Sequence, residues 1–123
     1  GGLSNADTPA GTAPAATFTG ATVTGNTASG RGGGVYNGNR DALTMTSSVV
    51  TMNTSLLAQG GGIAAITSTT TLKSTPVSVN TAILGAGGVF RLGGTMTTTT
   101  SPISANIPNN CVGSSPAVPS CTA

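Results

Sequence analysis

Along most of the chain, apolar and small polar residues alternate with a period of two. Leu43 and Met45 alternate with Thr44 and Thr46, and after a short break Ser48, Val50 and Met52 alternate with Val49 and Thr51. A two-residue period puts successive side chains on opposite faces of a strand, so the pattern predicts short strands with one face turned inward. Thr and Val suit strands, and the chain has almost none of the strong helix formers Glu and Lys.

The alternation recurs in register. "TVTGN", "VVTMN", "PVSVN" and "PISAN" end at Asn26, Asn53, Asn80 and Asn106, with separations of 27, 27 and 26 residues. A β-branched aliphatic stands three residues before each Asn: Val23, Val50, Val77 and Ile103. A threonine stands nine before: Thr17, Thr44, Thr71 and Thr97. Glycine pairs keep the same order, at Gly1-Gly2, Gly33-Gly34, Gly61-Gly62 and Gly87-Gly88, each followed by Leu3, Val35, Ile63 or Val89. The first interval, from Leu3 to Val35, is 32 residues, and the surplus lies in "SNADTPAGTAPA", which reads as a surface loop.

A unit of about 27 residues, with three short strands separated by Gly or Asn turns, has one economical solution: one coil of a β-solenoid. Equivalent residues then stack about 4.8 Å apart. The glycine pairs are expected where a side chain would collide with the neighbouring coil and where positive φ is needed. The asparagines are expected to tolerate left-handed φ and to hydrogen-bond along a ladder, with Val23, Val50, Val77 and Ile103 stacked inward beside them.

The run "GGGV…LTMTSSVVTMNTS…GGGI…TLKSTPVSVNTA…GGV" resembles the right-handed parallel β-helix repeat family of bacterial secreted and cell-surface proteins. More distantly it resembles the repeats of chlamydial polymorphic outer membrane proteins. The ending "NIPNNCVGSSPAVPSC" is similar to the C-terminal closure of that family. The resemblance covers nearly the whole chain and implies an all-β right-handed parallel β-helix, but no particular activity. Residues 1–107 are then about four coils, and residues 108–123 a Pro-rich capping tail. Pro76, Pro102 and Lys73 depart from the pattern and imply faces without lateral pairing partners.

Composition narrows the function. Two acidic and four basic residues among 123 leave a net charge of +2, which argues against nucleic acid as a partner. No apolar run is long enough to span a bilayer, and no basic segment followed by an apolar one marks a signal peptide, so the chain reads as mature or excised. Cys111 and Cys121, close together in a Pro- and Ser-rich tail, form a disulfide more naturally than a metal site, and that favours an extracellular or cell-surface setting.

Candidate chemistry is sparse. Asp7 and Asp41 are the only acids and there is no His, so the pair lacks a base or third ligand and reads as solvated turn aspartates. No catalytic residue, cofactor or metal is predicted. Arg31, Arg40, Lys73 and Arg91 fall in different registers and read as solvated scatter rather than a groove for anionic glycans. Tyr36 and Phe90 follow the glycine turns at the same offset and read as turn caps rather than sugar platforms. Thr17/Thr19, Thr44/Thr46 and Thr97/Thr99, with Thr71, form a Thr-x-Thr column interrupted by Lys73, as an ice-binding face would. Asn53-Thr54-Ser55 matches a glycosylation sequon but belongs to the structural Asn column.

These readings converge on a non-catalytic extracellular structural β-solenoid, a surface or adhesin-like module or a self-assembling fibre subunit. Ice binding is the alternative, and a carbohydrate-binding or degenerate polysaccharide-active β-helix a distant one. The expected partner is another copy stacked along the solenoid axis, or preceding repeats of a longer parent chain. A filament follows unless the C-terminal tail blocks one end.

Overall fold

The computed structural model describes residues 2–6 and 15–123, so Gly1, Asp7 and most of the predicted "SNADTPAGTAPA" loop lie outside the described residues. All its regular elements are strands. The first coil holds β1 (Leu3–Ala6), β2 (Ala15–Thr19), β3 (Thr22–Thr24) and β4 (Thr27–Ala28). The second holds β5 (Val35–Gly38), β6 (Ala42–Thr46), β7 (Val49–Thr51) and β8 (Thr54–Ser55). The third holds β9 (Ile63–Ile66), β10 (Thr69–Lys73), β11 (Val77–Ser78) and β12 (Thr81–Ala82). The last holds β13 (Val89–Leu92), β14 (Thr95–Thr99) and β15 (Ile103–Ser104).

Strands pair only with their equivalents in neighbouring coils, always in parallel, as β1-β5-β9-β13, β2-β6-β10-β14, β3-β7-β11-β15 and β4-β8-β12. This is a parallel β-solenoid that completes three turns between β1 and β13. The predicted register holds, with Val23, Val50, Val77 and Ile103 paired in one row. Leu43, Met45, Val50, Leu72 and Val77 fill a thin aliphatic core together with Val35, Ile63 and Val89.

Several expectations change in detail. Among the described residues each of the first three coils has four strands, because a two-residue strand after each Asn forms a sheet of its own; in the last coil Ile107 completes that row as a single bridge to Thr81. Ser4 and Asn5, assigned to the loop, lie in β1. Pro76 and Pro102 do not mark unpaired edges: they stand just before β11 and β15, and their carbonyls accept from Val50 and Val77 in the preceding coil. Lys73 likewise sits in β10, paired on both sides with Thr46 and Thr99. Only the proline N–H is missing, and at the start of a strand that loss is tolerated.

The corners explain the sharpest departure. The Asn column does not take positive φ, and among the described glycines of the predicted pairs none does; the positive φ expected at the glycine turns falls on the residue just before each pair in coils two and three, Gly32 and Gly60, both at φ 76°. Three further left-handed columns are Gly20, Ser47, Ser74 and Thr100; Gly25, Met52, Val79 and Ala105; and Arg40, Thr67 and Gly93. Met52, predicted inward, is 59% exposed, because the bend at φ 55° rotates it out and swings Asn53 in. The glycine pairs are required by packing. A Cβ on Gly34, Gly62 or Gly88 would stand 2.8, 2.8 or 2.6 Å from the Nδ2 of Asn53, Asn80 or Asn106. A Cβ on Gly33, Gly61 or Gly87 would stand 2.5–2.6 Å from the carbonyl carbon of the residue after that Asn. The glycine corner and the Asn corner of each coil therefore touch across the interior, where no side chain fits between them.

Val79 holds a β-branched side chain in the left-handed region at φ 56° while 53% exposed, a conformation that costs roughly 1–2 kcal/mol for an L-residue. Val79→Gly removes that strain and little packing. After allowance for the freer unfolded chain it is expected to stabilise by about 0.5–1 kcal/mol in urea denaturation; a lower midpoint would show that the corner is relaxed.

Candidate functional site

The chain's polar chemistry is concentrated at the corners, where inward-facing side chains follow the left-handed residues. At the first such corner, Asn53 Nδ2 donates to Asn80 Oδ1 (3.0 Å), to Thr51 O (3.0 Å) and to Val23 O of the preceding coil (2.9 Å). Its Oδ1 accepts from the backbone N–H and the Nδ2 of Asn26, both at 3.0 Å. Asn80 and Asn106 repeat the arrangement. Asn53 and Asn80 are fully buried, and their own N–H groups donate to the next Oδ1 at 2.9 Å. This leaves no accessible amide at the Asn53 sequon.

The ladder has a fifth member that the spacing did not reveal. Asn110 Oδ1 accepts from the N–H and Nδ2 of Asn106, at 3.2 and 3.0 Å. It lies four residues on instead of 26, because the tail turns back over the last coil. Adjacent asparagines in "NIPNNC" were the only signal.

A second ladder of hydroxyls also went unpredicted. The N–H of Ala21 donates to Ser48 Oγ, that of Ser48 to Thr75 Oγ1 and that of Thr75 to Ser101 Oγ, at 3.0–3.3 Å. Each hydroxyl donates to the carbonyl two residues before it. Ser and Thr are common elsewhere in the chain, so only their 27- and 26-residue spacing distinguishes these three. Within the next corner, Asn5 Nδ2 donates to Asn37 Oδ1 (3.0 Å), and the buried Asn37 donates to Thr69 O and Thr70 Oγ1.

The column through Arg40 breaks the rule. Asp41, Ser68 and Gly94 follow Arg40, Thr67 and Gly93, yet both Asp41 carboxylate oxygens and Ser68 Oγ are buried without a hydrogen-bond partner among the described residues. The expected solvated turn aspartate is thus fully buried. One physical reason is visible in the backbone: the Asp41 N–H donates to Gly38 O within its own coil, so it is not offered to Ser68.

Two of the four basic residues, Arg31 and Arg91, are more engaged than solvated scatter, while Arg40 and Lys73 are exposed. The Arg31 guanidinium lies 5.3 Å from the centre of the buried Phe90 ring, and its Nε donates to Gln59 Oε1. Arg91 clamps the tail: its terminal nitrogens donate to Ala117 O (2.9 Å) and Gly94 O (2.6 Å). Tyr36 and Phe90 flank Ala64 in one row of the first sheet. Phe90 is therefore packed under Arg31 and is no free platform.

The tail covers the last coil. Asn109 O and Asn110 O accept from Gly87 and Val89, and Ser115 bridges Leu92 as a further layer. Val118 is buried in the core, and Cys111 and Cys121 are bonded to each other. At the opposite end, β1, β2, β3 and β4 are edge strands among the described residues.

The threonines come together as predicted. Thr17, Thr44, Thr71 and Thr97 pair in one row, and Thr19, Thr46, Lys73 and Thr99 in another, on the outer face of one parallel sheet. Thr44, Thr46 and Thr71 are half-buried and the others exposed. Among the described residues no group of three or more His, Cys, Asp or Glu forms a metal-binding cluster. No family model, curated protein or solved structure matches the chain.

Two substitutions test these columns. Asn53→Leu removes donors and acceptors shared by three coils and leaves buried groups unpaired, so a loss of about 3–5 kcal/mol is expected by denaturant unfolding; a loss below ~1 kcal/mol would mean the ladder only accompanies the packing. Asp41→Ala removes two buried oxygens that have no partner among the described residues, so despite the small cavity it should cost less than ~1 kcal/mol in urea denaturation; a loss above ~2 kcal/mol would show that the carboxyl group makes a stabilising contact.

Proposed function

We propose that the chain is a non-catalytic structural module of an extracellular or cell-surface β-solenoid, related to the bacterial parallel β-helix repeats it resembles. The observation that carries this reading is the difference between its ends. The last coil is covered by a disulfide-closed tail that continues the Asn ladder through Asn110 and seats Val118 in the core. In the first coil, by contrast, Leu3, Phe18 and Val23 remain only half-buried, and no described residue donates to Asn26 Oδ1. An edge of this kind pairs with another strand layer. The matching layer is a coil of the same type, either a preceding repeat or another copy. The tail covers the other face of the stack, and Cys111–Cys121 suits an oxidising location.

Electron microscopy with light scattering on the purified chain tests the reading. Particles joined through their first-coil ends are expected. Isolated monomers at high concentration would overturn the stacking, and turnover of an acidic polysaccharide would overturn the non-catalytic assignment.

The paired Thr rows favour ice binding as the second reading. Flat parallel strands repeat hydroxyls about every 4.8 Å up the stack, and Thr17, Thr44, Thr71 and Thr97 form an unbroken row. Lys73 interrupts the neighbouring row and the array is only four coils tall. Thermal hysteresis abolished by Thr71→Tyr would promote this function above the structural one.

A further inference from the structure

One side of the solenoid gathers seven of the nine large apolar side chains exposed among the described residues; Leu92 and Val112 lie elsewhere. At the corner before the Asn ladder, Met52 and Val79 occupy successive coils at the same position. Beyond the short strands β8 and β12, Leu56 stands in register with Ile83 and Leu57 with Leu84, each 27 residues apart. Ile107 continues the row of Thr54 and Thr81 in the last coil. These seven side chains are 45–71% exposed. The first coil carries Gly25, Thr27, Ser29 and Gly30 at the corresponding places, so the patch has a polar border on that side.

We propose that this face is a docking surface for a second copy of the chain, packed side by side. Three features select that occupant. At roughly 100 Å² apiece, the seven side chains offer about 700 Å², close to the ~800 Å² per partner of a stable interface. The face itself has no formal charge: Arg40, Lys73 and Arg91 lie on the other sheets or their corners, and Arg31 at the border is engaged by Phe90 and Gln59. An uncharged face imposes no like-charge repulsion when it meets its own copy. Lastly, the ridges Met52–Val79, Leu56–Ile83 and Leu57–Leu84 repeat at the coil spacing. An identical ridge array therefore fits between them about a two-fold axis.

The surface is also held in advance. The N–H groups of Leu56, Leu57 and Ile83 donate to Ala28 O, Ser29 O and Ser55 O of the preceding coil at 2.9–3.1 Å. Their backbone is fixed by the stack, so docking orders little beyond side-chain rotamers. The apolar positions occur in coils two to four and not in the first, so they are not a requirement of the solenoid itself.

Sedimentation equilibrium of the full chain from about 1 to 100 µM tests this, with a dimer in the micromolar range expected. The paired substitution Leu57→Lys and Leu84→Lys should raise the dissociation constant at least ~100-fold while the far-UV circular dichroism melt is unchanged. Should that variant misfold, Leu56→Ser with Ile83→Ser supplies the same comparison with a smaller effect. A monomer throughout the range overturns the proposal. So does a dimer indifferent to both variants, which would place the contact at the first-coil edge and leave the stacking reading intact. Binding of the wild type to phosphatidylcholine vesicles, without dimerisation and lost in the Lys variant, would assign the face to a lipid surface and equally overturn it.

Discussion

A primary amide carries two N–H donors and a carbonyl acceptor on one short side chain, and this solenoid places one in every coil, where Asn53, Asn80 and Asn106 both give and take. Asn53 accepts from the coil before it and donates to the coil before it, to its own coil and to the coil after it. A stack of coils has no long helix or hairpin to fix its rise, and its aliphatic core of Val, Leu and Ile is compatible with more than one register. The ladder removes that freedom. Sliding one coil by a residue would turn an amide outward and leave buried carbonyls without donors.

Other features follow from that column. Because the amides fill the interior at their corner, the opposing backbone has to be bare, and the glycine pairs meet that requirement. Because the Asn side chain must point inward straight after a strand, the bend falls on the residue before it, whatever its type. This is why Met52 and Val79 adopt left-handed φ and carry apolar side chains out to solvent. The exposed apolar side of the molecule thus begins at the same corners as the ladder. The tail ends the series by presenting Asn110 to Asn106 from a reversed segment, and Arg91 then ties that segment down.

The corner at Asp41 and Ser68 is where the pattern is least consistent. Two of the left-handed columns are followed by ladders of amides or hydroxyls. The one through Arg40 and Thr67 is followed by three buried oxygens without a partner among the described residues, so the desolvation cost of unpaired polar atoms is concentrated at this corner.

The repeat length, the parallel stacking, the inward Val/Ile row, the Asn ladder and the Thr rows were all legible in the amino-acid sequence. Each is a column of like residues at a constant interval, and in a solenoid a constant interval becomes a direct contact. What only the tertiary structure decided involves residues whose neighbours are not set by that interval. Asn110 joins the ladder through a chain reversal, Asp41 is buried by a local turn, Arg31 and Arg91 find Phe90 and the tail, and the glycines face asparagines from the other side of their coil. Periodicity in a sequence reports which residues stack. Which residues face each other across the interior depends on the bend angles at each corner, and those are fixed by left-handed residues such as Ser74, Val79 and Thr100. Their side chains show no preference for that conformation, so no reading of residue type alone locates them.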